Sequence, residues 1–543
     1  MAQYLYGAAV QGIQGFIFQT DKLREIVGAS ELVERICTEL FAKVLYNYTP
    51  TPQEDAAAMA TQLLSHLKAD ENAILNAAGN IKYIFDNEEE CRRVARIFPK
   101  TVMQFAPGIT ISQSVVKVEP DKFKEAVQQL EKNLRTQRNK QMRDLSIGLI
   151  GIRRSRDTGL PVTHLRDYDN KTNYLDSATY HKLFDEKGKR KETFKLLCKK
   201  AFGDCLPLET EKDIQRLPLD IKDMTSSNDW IAIIHADGNG LGQVVQRIGT
   251  DKDKFREFSR LLDEATTEAA VKAFEETIKP KLSENDSIPI RPIVLGGDDL
   301  TVICRADLAI PYTQAFLRSF EEKTHAKLGD TLLGKKSNGK YGAPIFNDKS
   351  DFLTACAGIA FIKSSFPFHF GYQLAESLCD RAKKDTKAIF DATNGNLPAS
   401  CLMFHKVQDS FVTDYESIAE RELRPADGIS FEFGPYYLNK DRQPGNLSKD
   451  KFKQRWTIGE LISSLEKLKG KDGNAVKSNL RNWLTLLHDN PAMADQKLKR
   501  ILDIISVSMK EYVESITTSF DNSKVYPVYD ILSIHTINNQ TTR

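Results

Sequence analysis

The sequence predicts an α+β protein, with two ferredoxin-like palm domains, a helical linker domain between them and a C-terminal helical domain. Three observations carry this reading. Residues 230–407 run strand, helix, hairpin, strand, helix, with acidic residues at the first strand's end and at the hairpin tip. The N-terminal part repeats that order without the acids. Beyond about residue 410, apolar residues recur at helical spacing. The predicted boundaries are 1–144 for a degenerate first palm, 145–225 for the linker, 226–409 for the second palm and 410–543 for the C-terminal domain.

The second palm is the clearest. Trp230-Ile-Ala-Ile-Ile-His235 is an apolar run fit for a buried strand, and it stops at the Gly-rich turn Asp237-Gly-Asn-Gly-Leu-Gly242. Phe255, Phe258, Leu262, Ala269 and Phe274 then keep near-helical spacing. Ile290 to Cys304 reads as two strands around Leu295-Gly-Gly-Asp-Asp-Leu300, a hairpin signature. A polar, Gly- and Lys-rich insertion over about 329–350 predicts a mobile loop. A strand at Leu353–Ile362, a helix through Leu374, Leu378 and Ala382, and a further strand at Ser400–Val407 complete the unit.

The repeat is read by laying segments over one another. Leu5–Ile13 over Ile233–Leu241 sets Ala9 against Asp237, and Leu75–Ile81 over Val294–Leu300 sets Gly79 and Asn80 against Asp298 and Asp299. Pro107–Ile111 is laid over Ala357–Phe361, and Gln129–Lys140 over Gln373–Lys384. The linker carries Arg153, Arg154, Arg156 and the run Lys187, Lys189, Arg190, Lys191. In the C-terminal domain, helices are predicted at Ile458–Leu465, at Leu480–Leu487 and continuously from Met493 to about Ser519. Leu498, Ile501, Ile505 and Met509 give the last helix its core face.

Composition limits what such a chain does. With 543 residues, 41% of them hydrophobic, it has material for about three or four domain cores. Its 76 basic and 74 acidic residues leave a formal net charge of +2, so nucleic-acid contact must come from local patches. No apolar stretch approaches the roughly 18 residues of a membrane span, and the start lacks a signal-peptide layout. Eight scattered cysteines fit a reducing compartment, and a cytoplasmic location is expected. No Cys-x-x-Cys pair exists, so a zinc site is not expected.

Asp237, Asp298 and Asp299 are the candidate catalytic and metal-ligating residues. Joining an α-phosphate to a hydroxyl uses two cations, one beside the attacking oxygen and one beside the leaving pyrophosphate. Mg²⁺ and Mn²⁺ take hard carboxylate oxygens together with substrate phosphates. Gly296 and Gly297 permit a tight turn near a triphosphate. The turn Gly238, Asn239, Gly240, Leu241 and Gly242 opens a helix whose N–H groups favour phosphate. Lys383 or Lys384 on the later helix would meet the triphosphate as a point charge. A Gly-Gly-Asp-Asp turn alone is an ordinary solvated hairpin, and two lysines on a helix are an ordinary polar face. Acid at both meeting points, in palm order, is what makes a metal site of them.

His235-Ala-Asp-Gly-Asn-Gly-Leu-Gly242 and Leu295-Gly-Gly-Asp-Asp-Leu300 resemble the second palm of the large polymerase-like subunit of type III CRISPR effector complexes. Gly12-Ile-Gln-Gly-Phe-Ile-Phe18 and Lys22–Leu32 look like that family's first palm, especially its Cmr branch, and Thr158-Gly-Leu-Pro161 is similar to its inter-palm segment. The resemblance implies a subunit that polymerises ATP into cyclic oligoadenylate when target RNA is recognised, with Mg²⁺ or Mn²⁺ held by Asp237, Asp298 and Asp299. It also implies partners among the other effector subunits, CRISPR RNA and target RNA. Relatives often begin with an HD nuclease domain. Here the first palm starts at residue 4, and His488-Asp489 has no accompanying ligand set, so no cleavage of single-stranded DNA is expected. Where many relatives carry a second acid, this chain has Asn239. The rival readings are transfer of AMP to another acceptor, such as S-adenosylmethionine, and a non-catalytic scaffold.

Overall fold

The structure, a computed structural model, describes residues 3–48, 56–77, 79–119, 122–140, 149–185, 188–191, 194–225, 229–248, 251–284, 286–334, 343–408, 414–425, 428–445, 448–469, 471–518 and 524–541. Lys187 and the 335–342 part of the expected loop lie outside the described residues.

The N-terminal sheet is built from β1 (Gln3–Gln11), β2 (Ala73–Ala77), β3 (Asn80–Phe85) and β4 (Thr110–Val118), in the order β2-β3-β1-β4 with every neighbour antiparallel. Helix Leu23–Arg35 lies between β1 and β2, and helix Glu88–Phe105 between β3 and β4, which completes the ferredoxin-like order. After this unit come a short antiparallel hairpin of β5 (His164–Tyr168) and β6 (Lys171–Leu175) and several short helices. The expected linker is therefore mixed rather than purely helical.

The second sheet repeats the plan. Strands β7 (Trp230–Gly238), β8 (Ile290–Gly296), β9 (Asp299–Arg305) and β10 (Ala355–Lys363) pair antiparallel in the order β10-β7-β9-β8. Strand β11 (Cys401–Lys406) extends the sheet parallel to β10. Ile231, Ala232, Ile233 and Ile234 of β7 are all fully buried, so both faces of this strand are covered. That is why its sequence runs continuously apolar instead of alternating. Helix Phe368–Ile389 lies directly on β10 at Gly358, where a β-carbon would stand 1.9 Å from the Ala375 carbonyl oxygen. Only glycine admits that approach, and it fixes where the far end of the helix, with Lys383, is delivered.

Cross-strand register compares the two units closely. Ala9 pairs with Asn80 in the first sheet, and continuing the Ala236–Leu300 register in the second brings Asp237 beside Asp299. The overlay of these segments therefore coincides with the strand pairing. The third overlay does not. Ser112 is the β4 partner of Ala9 and Cys356 the β10 partner of Asp237, so Ser112 matches Cys356 rather than Ile362. The Gly-Ile pair shared by 108–109 and 358–359 set a false register, because Gly108 precedes β4 whereas Gly358 lies within β10.

Two further expectations change. Residues 329–332 belong to helix Ala309–Leu332, and Ile345 and Phe346 are buried, so much of the predicted loop is anchored. The predicted helix from Met493 to Ser519 is two helices, Pro491–Ile504 and Val507–Thr517, with extended backbone at Ile505 and Ser506. Serine favours a helix start over a helix interior, and its carbonyl accepts the first bonds of the second helix from Met509 and Lys510. The turn still buries Ile501, Met509 and Val513.

The two palms meet directly. Gln14 donates to the Tyr372 hydroxyl at 3.2 Å and to Glu376 at 2.9 Å, and the rings of Phe18 and Tyr372 stack with centroids 4.4 Å apart. Ser30 donates to the Ile293 carbonyl. Among the described residues, no helix is long and apolar enough to cross a membrane.

Candidate active site

Sheet order puts three carboxylates at one point. Asp237 is the penultimate residue of central strand β7, and Asp298 and Asp299 turn the hairpin between β8 and β9. One ligand oxygen from each lies within 4.8 Å of the others, the single group of at least three His, Cys, Asp or Glu side chains so placed among the described residues. Gly238 makes room for this, since a β-carbon there would stand 2.9 Å from that of Asp298.

The cluster is electrostatically strained without a cation. Burial, then Asp299 and Asp237, push Asp298 well above the usual carboxylate range. Burial and then Asp237 raise Asp299 to about 7. Like charges at such separations repel by roughly 3–4 kcal/mol per pair at an effective dielectric near 20. Hard oxygen donors that resist joint ionisation fit Mg²⁺ or Mn²⁺, whose charge would remove that repulsion.

Lys383 supplies part of the missing charge. Its ammonium donates to the Asp237 carboxylate and, at 3.1 Å, to the Gly238 carbonyl. Burial works against its charged form, but Asp237 more than offsets this and holds its pKa above the ordinary lysine value. Lys384, the next residue, is exposed and on the other side of the helix. Of the two candidate lysines, the structure brings only Lys383 to the carboxylates.

The other predicted residues divide similarly. Leu241 begins helix Leu241–Ile248, and Gly242 has open space around it. Gly240 is packed against Leu397 and Phe346, which backs the turn with apolar side chains. Asn239 faces inward at 1% exposure and donates to the Thr354 hydroxyl at 3.1 Å and to Cys356 Sγ at 3.3 Å. Its side chain is occupied in the core, and its backbone N–H donates to the Thr354 carbonyl at 2.8 Å, so Asn239 braces the turn against the segment before β10. Gly296 ends β8, and Gly297 is held at both its polar atoms.

The residues holding Gly297 are ones that sequence reasoning missed. Asp263 accepts the Gly297 N–H at 3.1 Å, and the Thr266 hydroxyl donates to the Gly297 carbonyl at 2.6 Å, both from helix Lys252–Thr277. Lys200, from the segment between the palms, donates to Asp263 at 3.0 Å and to the Leu295 carbonyl at 2.9 Å. The hairpin tip is thus pinned from two sides. Their polar positions on an otherwise apolar helix face were the available signal. Beside the tip, a cavity of about 160 Å³ opens between the palms, lined by Ile13, Phe18, Glu34, His235, Asp299 and Tyr372. His235 lies against the Thr301 hydroxyl, Nδ1 to Oγ1 3.1 Å, and burial lowers its pKa, favouring the neutral ring.

The stretch from β7 through the end of helix Phe368–Ile389 matches a known family, described as Cas10/Cmr2, second palm domain, over residues 230–390. Residues 230–390 are thus similar to the Cas10/Cmr2 second palm. Solved structures share the wider fold. A Csm1–Csm4 cassette in complex with cA3 matches at 15% identity with a TM-score of 0.52, covering 100% of this chain and 70% of that one. A Csm1–Csm4 cassette in complex with cA4 matches at 14% identity with a TM-score of 0.49, over the same shares. No curated protein matches the chain by sequence. The family description spans Cas10 and Cmr2 alike, so the Cmr branch expected from the Gly12–Phe18 motif is not singled out. The matched stretch thus contains every carboxylate of the cluster, Lys383 and Asp263, whereas Lys200 reaches the hairpin from helix Leu196–Phe202.

Proposed function

We propose that the chain is the nucleotidyl-transferring large subunit of a type III CRISPR effector, joining ATP units into cyclic oligoadenylate when target RNA is bound. The observation that carries this reading is the convergence of Asp237, Asp298 and Asp299 within 4.8 Å in a Cas10/Cmr2 second palm. Divalent Mg²⁺ or Mn²⁺ held there would supply positive charge beside the attacking hydroxyl and the leaving pyrophosphate.

The chain's own residues have distinct tasks in this scheme. The three carboxylates would hold the cations, for which Asp298 and Asp299 must be ionised. Lys383 leaves Asp237 for the triphosphate, exchanging one anion for another without a buried charge being stranded. The backbone N–H groups at Gly240 to Gly242 face phosphate at the start of helix Leu241–Ile248. Asp263 and Thr266 keep the hairpin tip in place, so the carboxylates need no rearrangement when substrate arrives. The first palm, which has Ala9, Gly79 and Asn80 where the second has its acids, closes the cleft with Ile13, Phe18 and Gln14 and seats the second nucleotide. Residues 145–225 link the palms, and 410–543 dock against the second, where Csm4-like and other effector subunits would assemble with CRISPR RNA.

The test is incubation of the chain, alone and in its complex with target RNA, with ATP and Mg²⁺ or Mn²⁺, followed by mass spectrometry. Pyrophosphate and oligoadenylate are expected, with both lost in Asp298→Ala with Asp299→Ala. AMP joined to an added acceptor such as S-adenosylmethionine, with no oligoadenylate, would replace the proposed product. Unaltered turnover in the double variant would refute the site.

A further inference from the structure

The wall that the first palm gives to the cleft is a short helix, Ile13–Ile17, whose Ile13, Gln14 and Ile17 line the cavity beside Asp299. Five residues do not hold a helix by themselves. Gly12 before it offers no side-chain cap, and the carbonyls at its end have no partners within the helix. One of those carbonyls, that of Phe16, accepts a hydrogen bond from the Lys182 ammonium at 2.7 Å. Lys182 comes from helix Ser177–Leu183, in the segment between the palms.

Packing and capping place that ammonium. At Gly28 of helix Leu23–Arg35 a β-carbon would stand 2.2 Å from the Lys182 carbonyl oxygen, so the two helices touch where only glycine permits it. Asp176, at 1% exposure, starts helix Ser177–Leu183 by accepting the Thr179 N–H at 3.0 Å. Its second oxygen accepts from the hydroxyls of Thr158 and Thr179, each at 2.8 Å. At the other end, Lys191 donates to the His181 carbonyl at 2.8 Å. The Gly12–Phe18, Lys22–Leu32 and Thr158–Pro161 segments therefore converge on one lysine.

Lys182 is itself 1% exposed, a costly place for a cation. Burial lowers its pKa to about 8, while Glu25 and then Asp176 pull it back up, so the amine is mostly protonated at neutral pH. The Phe16 ring, its centroid 4.3 Å from the ammonium, adds a cation–π contact. An aliphatic side chain would fill the same volume without desolvating a charge, so packing alone does not call for a lysine here. What the ammonium supplies is a charge-assisted bond that holds the end of a helix too short to hold itself. From that helix and the residue after it, Gln14 reaches Tyr372 and Glu376, and Phe18 stacks on Tyr372. We propose that Lys182 is a positioning residue for nucleotide binding, which fixes helix Ile13–Ile17 and so sets the first palm's side of the cleft. The inference rests on the nucleotidyl-transfer reading of that cleft.

The experiment uses the full chain in two variants. Lys182→Met keeps a long side chain and removes the donor, and Lys182→Met with Glu25→Gln also neutralises the carboxylate that would lose a cation. With ATP and Mn²⁺, KM should rise about tenfold in both while kcat stays within about twofold, because a contact to bound nucleotide is displaced and the carboxylates are untouched. Without nucleotide, exchange of the Phe16 and Phe18 amides, which bond to the Gly12 and Gln14 carbonyls, should quicken about tenfold or more. A merely structural lysine would instead lower the folded fraction, and with it kcat, and leave KM alone. If the single variant does not fold, the double variant carries the comparison; failure of both makes Lys182 structural and overturns the proposal. If wild type forms no product, the nucleotidyl-transfer reading fails on its own. Affinity for a non-hydrolysable ATP analogue then decides this inference, with a loss of about tenfold expected. Wild-type KM or affinity in a folded variant, or a fall confined to kcat, overturns the proposal whether or not exchange quickens.

Discussion

The two palms share strand order and hairpin register but differ at the points where the strands meet. Ala9 faces Asn80 in one and Asp237 stands beside Asp299 in the other, each at the tip of a hairpin. The first hairpin, with Gly79 at its turn, packs against Ile13, whereas the second carries acids and is braced by Asp263, Thr266 and Lys200. Backbone architecture is therefore not what separates them. The difference teaches that the palm supplies positions, and on the proposed function the three side chains, with the polar brace behind them, would supply the chemistry. The unequal partners also make one cleft, since Gln14 and Phe18 of the acid-free palm reach Tyr372 and Glu376 of the other.

The largest effect that should separate the palms is loss of the carboxylates. Asp298→Ala with Asp299→Ala is expected to lower product formation from ATP by at least about a thousandfold, since cation binding and substrate charge neutralisation go together. The metal-free protein should melt no lower than wild type, because the substitution removes two buried, mutually repelling groups. A steep fall in melting temperature would show instead that the acids are structural.

A smaller effect should come from the brace. Asp263→Asn keeps the size of the side chain but weakens its hold on the Gly297 N–H and on Lys200, and outer-shell changes of this sort cost about 10–100-fold. The loss should fall mainly on kcat, with KM for ATP little changed, and hydrogen exchange at the hairpin amides should quicken. Wild-type kcat with fast exchange would separate hairpin mobility from turnover.

Smaller again is the pH response. In the metal-free fold, Asp299 is raised to about 7 against an unfolded value near 3.9, so its folded form prefers to be protonated. Its contribution to stability is complete below the unfolded value and is lost as pH rises through about 7. Binding a cation requires the ionised form, so Mn²⁺ affinity should rise by about tenfold between pH 6 and pH 8, with proton release in calorimetry. A flat affinity across that window would contradict the raised carboxylates. Least of all should come from the acid-free palm, where Asn80→Ala should leave Mn²⁺ binding and turnover within about twofold of wild type.

Much of this contrast was legible in the sequence because it depends on local patterns. An apolar run ending in Asp237 and a tight Gly-Gly-Asp-Asp turn are short-range signals, and the order of strands brings them together. The brace was not legible. Asp263, Thr266 and Lys200 meet Gly297 and Leu295 only through packing of a long helix and the inter-palm segment, with no fixed spacing to the hairpin. Asn239 and Lys384 were read by position alone, whereas core packing turns the first inward and helical geometry turns the second away. The slipped overlay at β4 arose from a Gly-Ile pair that sits in a turn in one palm and in a strand in the other. The helix break at Ser506 depends on which residues reach the C-terminal core, something spacing alone does not set.

The most direct test of the division between the palms is a crystal structure of the chain with Mn²⁺ and a non-hydrolysable ATP analogue, phased for anomalous scattering. The account predicts Mn²⁺ peaks bridging Asp237, Asp298 and Asp299, Lys383 moved from Asp237 to the triphosphate, and no peak beside Ala9, Gly79 and Asn80. A Mn²⁺ peak in the first palm, or nucleotide bound with no Mn²⁺ at the three carboxylates, would contradict it.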